Sequence, residues 1–420
     1  NFMIENVNAL LGGDATYLNI VLPLAISFYT FQQIAYLLDT YAGLVDEHGL
    51  LHYSLFVIFF PQLIIGPIVH HREMIPQFTG RRDYRIVPSD ISVGLSIFAL
   101  GLFKKFELAD GLEPYVTVVF EHAESGSAIT LIDGWLACIG YTLQIYFDFS
   151  GYSDMALGLA RLFGIALPLN FNSPYRATSF LSLWRRWHMT MTRFFIMYVF
   201  TPLSVVLVRR FRGLSGLRGP RFAIGLALPL FITFVLSGLW HGAAWGYVLC
   251  FAINGAALLV NHGWRLVRLP APPAMIGWFV TFTVFAISLV FFRAEHLDIG
   301  WAVIEGMIGL NGVALAPRLV EHLPMTAQFF ETLGFAPTIG GALVSSWIFP
   351  RLALSLFVVL MLPNLAQLFR DNRPVVDSTG ITAKGTAWRP TTAWAVACAV
   401  AFSWAMIGQS HPQEFIYFQF

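Results

Sequence analysis

The run Ser237-Gly238-Leu239-Trp240-His241-Gly242 places an imidazole between two stretches that are almost pure hydrocarbon. Imidazole changes charge near neutral pH, so it can take the proton of an attacking hydroxyl and return it to a leaving group. An ionisable group within lipid-grade sequence is costly, and such residues mark substrate paths and reacting sites in membrane proteins. A histidine that closes a helix and hydrogen-bonds a neighbour is an equal reading of this residue alone. The apolar sequence from Arg221 to Asn261 is too long for one span, because about 20 helical residues already cross a hydrocarbon core. The chain is therefore expected to turn near Ser237 to Gly242; on an unbroken helix Ser237, His241 and Trp245 would share a face.

Two further segments carry chemistry. Tyr141, Gln144, Asp148 and Gly151 fall along one stripe of a helix that ends with Ser150 and Asp154. Such a stripe can face a water-filled cavity. The alternative is that Ser150 to Asp154 caps the start of the next helix. The segment from Tyr175 to Arg193 is both aromatic and cationic: on a helix Arg185, His188 and Thr192 share a face, flanked by Trp184 and Trp187. Indole and guanidinium groups suit a membrane interface. Arg185 and Arg186 could equally hold a phosphate, since guanidinium offers paired donors. The stretch 409–420 ends in Phe415, Tyr417, Phe418 and Phe420, rings that water would leave unburied. It reads either as an aromatic anchor or as a tail that carries the Tyr417 hydroxyl into a cavity.

The elements that must position these groups follow from composition. Of 420 residues, 57% are hydrophobic and 12% charged, with mean hydropathy +0.67, which no soluble domain of this size could present to water. Apolar runs near 17–38, 53–69, 90–103, 129–147, 155–169, 194–208, 222–240, 243–260, 274–292, 344–369 and 391–408 imply an all-α polytopic protein of about ten transmembrane or re-entrant passes. One membrane domain over 1–420 is expected, without repeats or long linkers. Net charge is +1, which gives no footing for nucleic acid. The basic residues cluster as His70, His71, Arg72, Arg81, Arg82 and Arg85, and as Arg209, Arg210, Arg212, Arg218 and Arg221. Short basic loops place both clusters on the cytoplasmic side. Cys138, Cys250 and Cys398 have no paired spacing, and neither a metal motif nor a nucleotide motif stands in the chain.

Taken together, Gln144 to Asp154, Asn170 to Tyr175, Trp184 to His188 and Gly238 to Gly242, with Pro23 to Tyr29, Phe60 to Pro67 and Phe292 to Glu295, resemble the membrane-bound O-acyltransferase family, in its bacterial polysaccharide O-acetyltransferase branch. The resemblance implies a helical bundle around a tunnel in the bacterial inner membrane. It also implies further helices before the position of Asn1, acetyl-CoA as a donor that is not permanently bound, no metal, and an exported polysaccharide as direct or indirect acceptor. A periplasmic transferase or carrier is the implied partner. His241 matches the catalytic histidine and His188 the second polar position. Trp240 and Trp245 are expected to keep the tunnel dry, with Gln144, Asp148 and Ser237 along it and Arg185 and Arg186 near the CoA phosphates. The residues after His188, Ile196-Met197 and Thr201-Pro202-Leu203-Ser204, depart from the family pattern. The aromatic ending resembles one in systems that add D-alanine to teichoic acids, where a tyrosine relays the acyl group, so Tyr417 enters as a relay candidate. A transporter and a scaffold subunit of a secretion complex are the readings from other classes.

Overall fold

The computed structural model describes residues 2–13, 16, 26–45, 49–63, 66–80, 87–211, 218–377, 381, 385 and 387–408. Its principal helices are α1 (Ile26–Tyr41), α2 (Pro88–Phe103), α3 (Leu131–Leu162), α4 (Met189–Arg210), α5 (Gly219–His241), α6 (Trp245–Leu266), α7 (Ala274–Arg293) and α8 (Thr392–Ile407). Among the described residues, α4 to α7 are long and apolar enough to cross a membrane; Phe2–Leu11, Ile348–Met361 and α8 are shorter apolar helices. The chain is a multi-pass membrane protein. The stretch 311–337 holds helices Pro317–His322 and Met325–Thr332. A two-residue strand Ala314–Leu315 there pairs in parallel with Thr338–Ile339.

α3 corrects the sequence reading. The runs 129–147 and 155–169 form no separate passes, and Ser150 to Asp154 starts no new helix: one 32-residue helix runs through them. Asp148 and Asp154 on it are met from outside. Lys105 Nζ lies 2.6 Å from Asp148 and 2.7 Å from Asp110, and Lys104 Nζ lies 2.5 Å from Asp154. Both lysines belong to a π-helical segment, Lys104–Ala109, that prolongs α2. Successive α-helical residues point about 100° apart; the wider turn brings neighbouring lysines onto one partner helix.

These pairs close only because α2 and α3 touch backbone to backbone. A Cβ on Gly158 would stand 2.7 Å from the Gly94 carbonyl oxygen, and one on Gly101 would stand 2.8 Å from that of Gly151. Without a solvent-driven hydrophobic force between helices in lipid, small residues that permit such approach are what hold helices together.

A second set of bonds ties α1 to α4. Asp39 accepts from His71 Nε2 at 2.9 Å and from the Tyr198 hydroxyl at 3.1 Å, and His70 Nε2 lies 2.9 Å from that hydroxyl and 3.1 Å from Asp39. Glu73 caps its own helix through the His70 N–H and grips Arg193 with both oxygens. His70 and His71, expected in a short basic loop, are thus turned inward, while Arg72 is exposed. Arg81, Arg82, Arg85 and Arg212 lie outside the described residues.

Two outcomes test this architecture. Gly158→Ala should destabilise the domain on the order of 1–3 kcal/mol, as overpacking does, and Gly158→Leu should sharply lower the monodisperse fraction recovered in detergent. Wild-type melting of Gly158→Leu would show that the helices do not touch. Burial, with His71 alongside and Asp39 opposing, pushes His70 down to about 4. Unfolded, the ring takes its proton near pH 6.5, so the unfolded chain binds more protons and stability falls as pH drops from about 6.5 toward 4. His70→Gln should flatten that part of the thermal-stability profile; equal slopes would remove His70 as its source.

Candidate active site

His241 is the last residue of α5 and is 6% exposed. The next residue, Gly242, is extended, and a Cβ there would fall 2.2 Å from the Tyr247 ring, so glycine lets the chain turn into α6 against that ring. The break expected between Ser237 and Gly242 is therefore real, and it falls directly after the histidine. The imidazole stacks on Phe251 (centroids 4.7 Å, 29°) and meets the edges of Trp240 at 4.6 Å and Phe292 at 5.3 Å. Trp240 stacks in turn on Phe31 of α1 at 4.8 Å. Packed aromatic rings fix the orientation of His241.

His188 is held differently. The expectation of a continuous helix through 185–192 fails: helix Phe180–Trp184 ends at Arg185, and His188 is the left-handed N-cap of α4 (φ 41°). A β-carbon makes that region sparsely populated, so surrounding bonds must hold it there. They do. Asn172 N–H donates to the Arg186 carbonyl and Met189 N–H to the Asn170 carbonyl, each at 2.9 Å, pairing the two segments. The Asn170 side-chain oxygen accepts from His188 Nδ1 at 3.0 Å and from the Thr190 hydroxyl at 2.9 Å, while its amide donates to Ser153 of α3. Thr190 in turn accepts the N–H of Ile68. The His188 ring is fully buried, set edge-on to Phe149 at 4.7 Å and 6.3 Å from Trp240. Both imidazoles therefore neighbour one indole.

A cavity of about 270 Å³ adjoins this centre between α4, α5 and α6. Phe251 and Ser237 line it, together with Trp184, Thr233 and the exposed Arg185. Its remaining lining is almost wholly apolar. Ser237 spends its hydroxyl on the Thr233 carbonyl at 2.9 Å. Arg185 engages no carboxylate among the described residues, which leaves its guanidinium available to an anion; Arg186 stands beside it, partly buried. Gln144 and Asp148 are buried on α3, Asp148 in the lysine pair. Trp245 lies apart from the expected set: it is 52% exposed and faces Phe2 and Asn6, because α6 starts a new direction after Gly242. Tyr417 lies outside the described residues.

Asp39, His70 and His71 bring three ligand atoms within 4.8 Å. His70 Nδ1, however, accepts the Arg72 N–H at 3.3 Å, which places the ring proton on Nε2, the atom facing Asp39. Metal-bound histidines instead donate from their second nitrogen. These residues form a hydrogen-bonded clasp. Sequence reasoning missed the clasp, the lysine pairs and the role of Asn170. The one local signal was charge within apolar helices, which demands partners.

The membrane-bound O-acyltransferase family model matches residues 41–299. A peptidoglycan O-acetyltransferase of Helicobacter pylori is 34% identical over the whole of this chain and 79% of its own length. A protein of Azotobacter vinelandii named probable alginate O-acetylase AlgI is 33% identical over 75% of this chain and 60% of its own length. A teichoic acid D-alanyltransferase of Bacillus subtilis is 28% identical over 58% of this chain and 60% of its own length. The matched span encloses both buried histidines and the lysine pairs, and the chain belongs to the membrane-bound O-acyltransferase family as a membrane-bound acyltransferase.

Proposed function

We propose that the chain is an O-acetyltransferase of the bacterial inner membrane that draws acetyl from cytosolic acetyl-CoA and passes it across the bilayer for O-acetylation of an exported polysaccharide. One observation carries this reading: two buried imidazoles share Trp240 as a neighbour, beside an apolar cavity with an uncommitted guanidinium in its lining. An anionic donor with a thin, mostly apolar arm fits those features, its phosphates toward Arg185 and Arg186 and its thioester toward His241. The relatives named for peptidoglycan and alginate support a glycan as final acceptor.

In this mechanism His241 takes the proton of an attacking hydroxyl as the new C–O bond forms. The C–S bond then breaks, and the proton ends on the departing thiolate. The aromatic wall around the ring limits attack by water on the thioester. His241→Ala should lower labelled-acetyl transfer from acetyl-CoA by about 100-fold or more while gel filtration in detergent stays unchanged. A folded variant with near-normal transfer would reduce His241 to a structural role.

The first hydroxyl is assigned to Tyr417. Donor and acceptor lie on opposite sides of a hydrocarbon core that neither crosses readily, and a tyrosyl ester can bridge them. The phenol suits a carrier, because its pKa of about 10 makes it a better leaving group than a sugar hydroxyl. A separate periplasmic transferase then collects the acetyl group. Tyr417→Phe keeps the ring and removes only the hydroxyl. It should abolish glycan acetylation and an acetyl adduct on the 409–420 peptide in intact-mass spectra, whereas full acetylation by the variant would leave Tyr417 an anchor.

A further inference from the structure

The way His188 is positioned has a chemical consequence. Aromatic faces hold the His241 ring. The Asn170 amide holds the His188 ring, and its hydrogen bonds define which nitrogen carries the proton. The amide orientation is set by the Thr190 backbone N–H, which can only donate and meets the oxygen at 3.4 Å; the Thr190 hydroxyl donates to the same oxygen at 2.9 Å, and the amide nitrogen donates to Ser153 at 3.2 Å. The Thr190 hydroxyl oxygen also accepts the Ile68 N–H. The atom facing His188 Nδ1 is thus a carbonyl oxygen, which can only accept. Nδ1 must be the protonated nitrogen of the neutral ring, and Nε2 bears the lone pair. That Nε2 is fully buried and finds no hydrogen-bond partner among the described residues. A buried acceptor left open in this way requires an explanation, such as a group that arrives with substrate.

We propose that Asn170 is a positioning residue for acyl transfer: by fixing His188 as the Nδ1–H tautomer, it makes Nε2 a second proton-accepting atom beside His241. The inference rests on the acetyl-transfer reading above. It extends the logic of a base held in one tautomer by a third group, here with a neutral amide in that place. In the step where a hydroxyl oxygen attacks the thioester carbon and sulfur leaves, the one hydroxyl proton that His241 takes is shared with Nε2 and ends on the thiolate. The Nδ1 proton stays on the ring, donated to the Asn170 oxygen throughout. The left-handed backbone at His188 and the paired segments 170–172 and 186–189 are the structure that keeps the ring in register. Around the ring stand Phe149, Phe171 and Trp240, with Thr190 on its own helix. The charge-bearing group that faces it among the described residues is His241.

The test is acetyl transfer by the full chain in detergent or proteoliposomes, with acetyl-CoA as donor, for Asn170→Ala, Asn170→Asp, His188→Ala and the double variant Asn170→Ala/His188→Ala. Asn170→Ala should lower kcat by about 10–100-fold, the scale of a mispositioned acid–base group, with KM for acetyl-CoA within about twofold of wild type. Asn170→Asp retains the acceptor oxygen and adds a negative charge that favours the protonated ring. It should recover much of kcat and move the acid limb of the pH profile to higher pH. In the His188→Ala background, loss of Asn170 should cost nothing further, because a residue acting through another is non-additive with it. Additive losses, or an unmoved acid limb in Asn170→Asp, would make Asn170 a structural staple and overturn the proposal. Absence of transfer by wild type would instead sink the acetyl-transfer reading and this inference with it.

Discussion

A buried lysine has to be answered within the protein, because nothing in a hydrocarbon core can solvate it. Lys105, between Asp148 and Asp110, and Lys104, on Asp154, impose that condition on α2 and α3. Removing one partner of such a pair leaves an uncompensated charge and costs several kcal/mol (about 3–5), so the helices have to meet in one register. The glycine contacts allow them to, since the carbonyls of one helix fill the space a side chain would take on the other. α3 then runs unbroken past two carboxylates. It presents Ser153 to Asn170, and through Asn170 it orients His188.

The site therefore stands on two kinds of support. Ring stacking is broad and tolerates small rotations, which suits a residue that must meet a moving acyl group; His241 is held that way. Hydrogen bonds dictate protonation as well as position, and His188 is held by them. Trp240 neighbours both rings and leans on Phe31, so α1 helps to enclose the centre although it carries none of the acid–base groups assigned to it.

The clasp around Asp39 joins this arrangement at a second point. It anchors α1 to α4 through Tyr198, and the same loop sends the Ile68 N–H to Thr190, one bond from Asn170. The loop entering the His71–Thr79 helix and the segment bearing His188 thus form one continuous polar network inside an apolar bundle. Buried polar groups that satisfy one another in this way specify a single arrangement, whereas apolar contacts alone would allow several.

Membrane class, the break beside His241 and the motif set that identifies the family were all legible in the sequence. Each depends on residue types and near-neighbour spacing, which hydropathy and helical period express directly. Spacing could not show that Asp148 and Asp154 sit within one helix, because what neutralises them lies on α2; for Lys104 and Asp154 the separation is 50 residues. It also misplaced His188 on a helical face. A ring pinned by Asn170, 18 residues earlier, overrides the local tendency to continue the helix. The family resemblance placed Trp245 along the tunnel, but after the turn at Gly242, packed against Tyr247, the indole faces Phe2 and Asn6. His70 and His71 looked like loop cations until Asp39 from α1 came within reach. The residue types thus determined that charge and imidazole would lie inside a bilayer protein. Long-range pairing decided which groups meet, because desolvated charges and hydrogen-bonding atoms take whichever partner the packed backbone brings to them, at any distance along the chain.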